Sequence, residues 1–157
     1  MRSQKIRLKL TKEQERIAWW YSKVSRNYWN LLVDIDKRNN KGEFDEILSK
    51  NGNESFYSNF HGRIIYKLNQ SDFMNLAKIV VGKSSEENSN EWSWYHQPNQ
   101  AFIYSFVARE LVAIRMQNKG RLNFRSITKI QPSFNVRCDA TYNNRGGNRV
   151  SRIYLKD

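Results

Sequence analysis

The sequence predicts an α+β fold in which a small basic sheet is formed by both termini and a bundle of about four helices is inserted between them. Three observations lead there. Apolar and basic residues alternate over residues 5–10. Four stretches between residues 11 and 118 repeat apolar residues every three or four positions, and alternation returns after Gly120. The charge divides the same way. Residues 1–10 carry Arg2, Lys5, Arg7 and Lys9 with no acid, a net of +4. Residues 119–157 set nine Lys or Arg against Asp139 and Asp157, a net of +7, while the intervening 108 residues hold 14 basic and 13 acidic side chains. The expected organisation is therefore a cationic β unit made of 1–10 and 119–157, with residues 11–118 as a nearly neutral helical insertion.

In residues 5–10, Ile6, Leu8 and Leu10 point one way and Lys5, Arg7 and Lys9 the other, as in a half-buried strand with a basic outer face. Thr11 then reads as a helix N-cap, with Gln14 completing a capping box. Ile17, Trp20, Tyr21, Val24, Tyr28, Leu31, Leu32 and Ile35 follow at spacings of three and four, which predicts a helix of about 25 residues with one apolar stripe. Trp19 and Trp29 lie off the centre of that stripe. They either widen the buried face or serve a partner, and burial is expected.

Residues 38–54 are rich in Asn, Gly and charge, with a short helix near Phe44–Leu48. A second helical stretch is expected over Ser55–Leu68. A third, capped by Ser71, runs through Phe73, Leu76 and Val80 to Gly82. Residues 83–91 read as a polar loop. Pro98 suits the first turn of a fourth helix, in which Tyr104, Val107, Ala108, Leu111 and Arg115 share a face and which Gly120 ends. Beyond it, Phe134, Val136 and Cys138 alternate with polar neighbours, and Val150, Ile153 and Leu155 form a second extended run. The two predict a hairpin turning around Gly146–Gly147.

The composition bounds the function. A formal net charge of +12 marks a binder of polyanions. No window approaches a membrane span and the basic ends do not read as amphipathic helices, so no membrane partner is expected. One cysteine, Cys138, excludes an internal disulfide and a cysteine-rich zinc site, and fits a reducing, cytoplasmic setting. His61 and His96 lack metal-site spacing, and Asp139 and Asp157 are the only acids after Glu110. No carboxylate cluster for two-metal chemistry can be assembled from that end. The expectation is a non-catalytic chain with no cofactor and no metal.

Several short stretches in order carry a family resemblance. IRLKLTKEQE at the start and RNYWN at 26–30 place Thr11–Gln14 and Trp29–Asn30 where the TnpB (OrfB) proteins of insertion sequences have "P/T-x-x-Q" and an aromatic–Asn pair. Gln100, in PNQAFIYSFVARELVAIR, matches a Gln at the head of an amphipathic helix. GRLNFR (120–125) is similar to the family's G-x-P-x-F-K, with Leu122 where proline is usual. PSFNV (132–136) and RIYLKD (152–157) resemble the next two strands. The chain as a whole thus resembles the N-terminal wedge and recognition region of these RNA-guided nucleases, relatives of type V CRISPR effectors.

The resemblance implies an oligonucleotide-binding-like β-barrel made by both termini and a helical recognition domain, together gripping a structured guide RNA. The family's RuvC-like nuclease part would lie beyond the matching region. Two roles follow for a chain without it, a subunit supplying a separate nuclease chain and a decoy or inhibitor of a type V effector. The alternatives are a DNA-binding transcriptional regulator, and a decayed transposon fragment with generic nucleic-acid affinity.

Phosphate contacts are expected from Lys5, Arg7, Lys9, Arg121, Arg125, Lys129, Arg137, Arg145, Arg149, Arg152 and Lys156, mostly arginines suited to bidentate contact. Gly146 and Gly147 are read as turn residues. WSWYHQ offers Trp92, Trp94, Tyr95, His96 and Gln97 as a stacking platform, the alternative being rings that plug the gap between helices. His96, Gln97 and Gln100 stand near positions that in the family face the double-stranded DNA next to the target.

Overall fold

The computed structural model describes residues 9–53, 55–57, 64–87, 92–97, 100–118, 121–126, 142–143 and 147–148. In chain order these form α1 (Lys12–Asn40), α2 (Asp45–Lys50), β1 (Ser55–Tyr57), β2 (Ile64–Tyr66), α3 (Gln70–Glu87), α4 (Ala101–Gln117), β3 (Tyr142–Asn143) and β4 (Gly147–Asn148).

The first helix starts where its chemistry places it. The Thr11 side chain accepts from the Gln14 amide at 3.2 Å, and the Thr11 amide donates back to Gln14 Oε1 at 3.0 Å. Two orphan donors of the first turn are thereby satisfied. Glu13 and Glu15 in the first turn and Lys37 and Arg38 in the last oppose the helix dipole. The apolar stripe carries the helix to 29 residues, longer than expected. It stops at a turn in which Gly42 takes φ 83°, a left-handed conformation that suits glycine.

Ile17, Tyr21, Val24, Tyr28, Leu32 and Ile35 go into the core with Phe73, Leu76 and Ala77 of α3 and Ile103, Val107, Ala108 and Leu111 of α4. Each large apolar side chain buried this way contributes about 1.5–3 kcal/mol. α1 and α4 run in the same direction. The rings of Tyr21 and Phe102 meet edge to face at 5.7 Å near one end, and Asp36 meets Arg115 at 2.9 Å near the other.

The expected α+β architecture does not hold. The described residues form four helices around one core, with two separate antiparallel strand pairs, and contain no barrel or wider sheet. Lys9 and Leu10, the described end of the predicted first strand, are not in a strand, and Leu10 is 43% exposed. Alternation makes a strand only where a second edge supplies its hydrogen bonds, and Lys9 and Leu10 pass directly into the α1 cap; the rest of the run lies outside the described residues. The strands expected over 134–138 and 150–155 lie outside the described residues. A hairpin does follow residue 141, but its strands are two residues each, and Gly147 pairs with Asn143 instead of forming the turn with Gly146.

Three local expectations also change. Residues 55–57 and 64–66, read as part of a helix over Ser55–Leu68, pair as antiparallel strands with Phe56 opposite Ile65. Phe, Tyr and Ile are strong strand formers, and a three-and-four spacing within so short a window does not outweigh that propensity. α3 is capped by Asn69, not Ser71: Asn69 Oδ1 accepts from the Asp72 amide and Asp72 Oδ2 from the Asn69 amide, both at 2.9 Å. The same helix runs on to Glu87, through residues expected to be loop, because Lys, Ser and Glu do not break a helix already nucleated. Among the described residues no helix is long and apolar enough to cross a membrane.

Candidate nucleic-acid interface

The side of α1 turned away from the core carries a row of cations. At about 100° per residue, Lys12, Arg16, Trp19, Lys23, Arg26, Asn30, Asp34 and Lys37 fall within about 40° of one direction, opposite the buried stripe. Between Lys12 and Arg26 that sector holds no acid. Lys12, Arg16, Lys23 and Lys37 are exposed and Arg26 is half-buried. Trp19 stands among them at 57% exposure, against the expectation that it would be buried.

Some of this charge is lightly engaged. Arg16 holds Glu13 at 2.7 Å in a pair open to solvent on both sides. That hydrogen bond and charge keep the Glu13 carboxyl below its ordinary range. Lys23 Nζ lies 5.6 Å from the Trp20 ring and Lys37 Nζ 4.5 Å from the Phe124 ring. Among the described residues, Lys12, Lys23 and Arg26 make no ion pair, so an anionic ligand would meet little competition there.

Residues 121–126 return along this helix. Leu122 enters the core, and the Trp29 indole donates to the Asn123 carbonyl at 2.8 Å. Asn30 hydrogen-bonds both the amide and the carbonyl of Arg125. The Arg125 guanidinium lies 3.7 Å over the Trp29 ring and bonds Glu110 at 3.0 Å. This returning segment covers Trp29, which is why a ring beside the apolar stripe is 3% exposed while Trp19 is not covered. It also ties a piece assigned to the β unit, Leu122, to the helical core.

Of the eleven predicted phosphate contacts, the described residues include three. Lys9 and Arg121 are exposed. Arg125 is half-buried, with its guanidinium held by Glu110 and Trp29, so its main role here is to pin the returning segment. Lys5, Arg7, Lys129, Arg137, Arg145, Arg149, Arg152 and Lys156 lie outside the described residues. The meeting of the two basic ends therefore lies outside them too.

The WSWYHQ rings take the alternative reading and close the gap beside α1 and α4. Trp92, Trp94 and Tyr95 are half-buried against the core. Tyr95 stacks on Tyr104 at 5.0 Å with planes 9° apart, and Tyr104 lies 4.3 Å from Tyr28. Burial pushes the hydroxyls of Tyr28, Tyr95 and Tyr104 to higher pKa. His96 and Gln97 remain exposed, His96 edge-on to Tyr95 and Gln97 donating to the Ser93 carbonyl at 3.4 Å.

Gln100 is 2% exposed and offers no surface to a duplex. Its amide orientation follows from its neighbours: Oε1 accepts from Trp20 Nε1 at 2.9 Å, and Nε2 donates to the Trp94 carbonyl at 2.6 Å and to the Tyr104 hydroxyl at 2.8 Å. Tyr104 in turn donates to the Tyr95 carbonyl at 2.7 Å. This buried glutamine is the junction between the aromatic turn, α1 and α4.

Among the described residues no three His, Cys, Asp or Glu gather as a metal site. A polar depression of about 820 Å³ lies between the end of α2 and the start of α3. Of its side chains, Asn69 and Asp72 are already spent on the α3 cap.

The row Lys12, Arg16, Trp19, Lys23 and Arg26 is invisible in the net charge of its segment, where it cancels against Glu13, Glu15, Asp34 and Asp36; position around and along the helix separates the two sets. Compared with known proteins, the chain matches no family model, no curated protein and no solved structure.

Proposed function

We propose that this chain is a non-catalytic, cytoplasmic RNA-binding protein that holds a structured RNA through the cationic side of α1 together with the basic residues of its two ends. The observation that carries this reading is the face segregation on α1: between Lys12 and Arg26 four cations and an exposed indole share one side, in a chain with a net charge of +12. Cations deliver affinity for a phosphate backbone, and an open ring suits the bases that structured RNAs expose and duplex DNA does not. The resemblance to the wedge and recognition region of TnpB-type nucleases supports the same ligand class, a guide RNA. A partner nuclease or type V effector is the corresponding protein partner.

The test is competitive binding of the full chain to a folded hairpin RNA and to double-stranded DNA of equal length, across salt concentrations. With about six phosphates neutralised, log affinity should fall with log salt at a slope of roughly −4 to −5. Preference for the double-stranded DNA would replace this reading with that of a DNA-binding regulator. Equal affinity for every RNA of one length would leave only generic polyanion binding.

A further inference from the structure

We infer that the exposed half of the α1 outer side, Lys12 to Arg26, binds an unpaired stretch of RNA, with Trp19 stacking on a base and Lys12, Lys23 and Arg26 contacting phosphates. The inference rests on the RNA-binding reading and specifies which part of the RNA this side takes.

Three features carry it. The first is the isolation of the ring. Among the described residues the other large apolar side chains that are exposed are Leu10, Met116 and Phe124, so Trp19 is the only one on α1. A protein-docking surface would surround such a ring with further apolar area, whereas here its neighbours one turn away are Glu15, Arg16, Ser22 and Lys23, none of them apolar and two of them cations. The apolar stripe of the same helix is already buried in the bundle, which removes the membrane-surface alternative.

The second is spacing. Arg16 stands one turn before Trp19 and Lys23 one turn after it, with Lys12 and Arg26 about one turn further out on either side. A ring flanked in this way presents its face at the same height as charges that hold the backbone of a bound strand. That is the combination used to bind single strands without sequence preference.

The third is what a duplex would require. In paired RNA both faces of each base are covered by stacked neighbours, and the A-form major groove is too narrow to admit a helix. Trp19 would have to unstack a base step to gain a partner, whereas a loop, bulge or single-stranded end presents one already open.

The experiment uses the full chain and fluorescence anisotropy at fixed salt, with a labelled single-stranded RNA 12-mer and a duplex RNA of the same length. Wild type should bind the single strand on the order of ten-fold more tightly. Trp19→Ala should lose about ten-fold on the single strand and little on the duplex, while Trp19→Phe retains most of the affinity. The double variant Lys23→Glu/Arg26→Glu should flatten the salt slope by about 1.4. Circular dichroism melts identical to wild type would show that these exposed substitutions leave the fold in place. Unchanged single-strand affinity in Trp19→Ala, with RNA still bound, overturns the strip and leaves the RNA-binding reading standing. Absence of binding to both RNAs overturns both, and equal loss on strand and duplex overturns the stacking role alone.

Discussion

The Asn30 side chain pairs with the backbone of Arg125 as a neighbouring strand would, its Nδ2 donating to the carbonyl at 3.0 Å and its Oδ1 accepting from the amide at 2.7 Å. One side chain thereby holds residues 121–126 on α1 without a sheet. It also brings together two pieces that carried the family resemblance, Trp29–Asn30 and GRLNFR, from 95 residues apart.

Removing that side chain should release the segment. Asn30→Ala leaves a half-buried N–H and C=O unpaired and should cost about 1–3 kcal/mol, read by urea unfolding. Asn30→Asp keeps the acceptor but sets a carboxylate against the Arg125 carbonyl, so it should fall between Ala and wild type. Hydrogen exchange gives the local check: the Arg125 amide should lose protection in the Ala variant. If its protection survives, the segment is held by Leu122 and Trp29 instead.

Gln100 makes a second point of the same kind. Gln100→Leu preserves volume but strips partners from the Trp20 indole and the Trp94 carbonyl, and should cost about 2–4 kcal/mol. Tyr104→Phe removes the bond to the Tyr95 carbonyl and the acceptor of one Gln100 N–H, and should cost about 1–2 kcal/mol. Trp fluorescence should shift red in the Leu variant as the 92–95 turn loosens. A Leu variant as stable as wild type would show that the amide is dispensable to the junction.

The helical half of this structure was legible because a 3.6-residue period and the Thr11–Gln14 box are local signals. The same is true of the α4 stripe, where Tyr104, Val107, Ala108 and Leu111 are all buried. Apart from the 55–68 helix, the Ser71 cap and the end of α3, what failed was non-local. A strand needs an edge to pair with, and alternation over 5–10 says nothing of whether one is near. Gln100 reads as a possible duplex contact through the family resemblance alone, and only the converging partners from Trp20, Trp94 and Tyr104 show that it is internal. Trp19 and Trp29 are alike in sequence, and a segment nearly a hundred residues away decides which is covered.

The terminal cations and the α1 row can be separated by mutation. Reversing Arg7, Arg137 and Arg149 together to Glu should abolish binding to a hairpin RNA if the ends dominate affinity. Reversing Lys12, Lys23 and Arg26 should instead weaken binding and reduce the salt slope by about 2 to 3, roughly one unit per lost phosphate contact. The helical circular-dichroism signal should be the same in both. Full affinity in the terminal triple variant would take those segments out of the interface.

The ion pair between Asp36 and Arg115 predicts a pH-dependent stability. Asp36 is buried, at 4% side-chain exposure, and Arg115 reaches it from α4 at 2.9 Å with 22% of its own side chain open. Burial pushes the Asp36 pKa above its ordinary value, while the charge and hydrogen bond of Arg115 and the charge of Lys37 pull it back. A carboxyl whose folded-state pKa exceeds its unfolded value binds the proton more tightly when folded. Stability therefore falls as pH rises through the interval between the two and returns on acidification. Arg115→Met removes the main opposing influence and widens that interval upward. The variant should lose roughly 3 kcal/mol near neutral pH, at the low end for a broken buried pair because Arg115 keeps some contact with solvent. The deficit should shrink as Asp36 takes up its proton. Urea unfolding of both proteins at about pH 7.5 and about pH 5 tests this, since the acidic pair of curves should lie closer together. A deficit of equal size at both values would mean that Arg115 stabilises α4 through packing of its stem and not through the carboxylate beneath it.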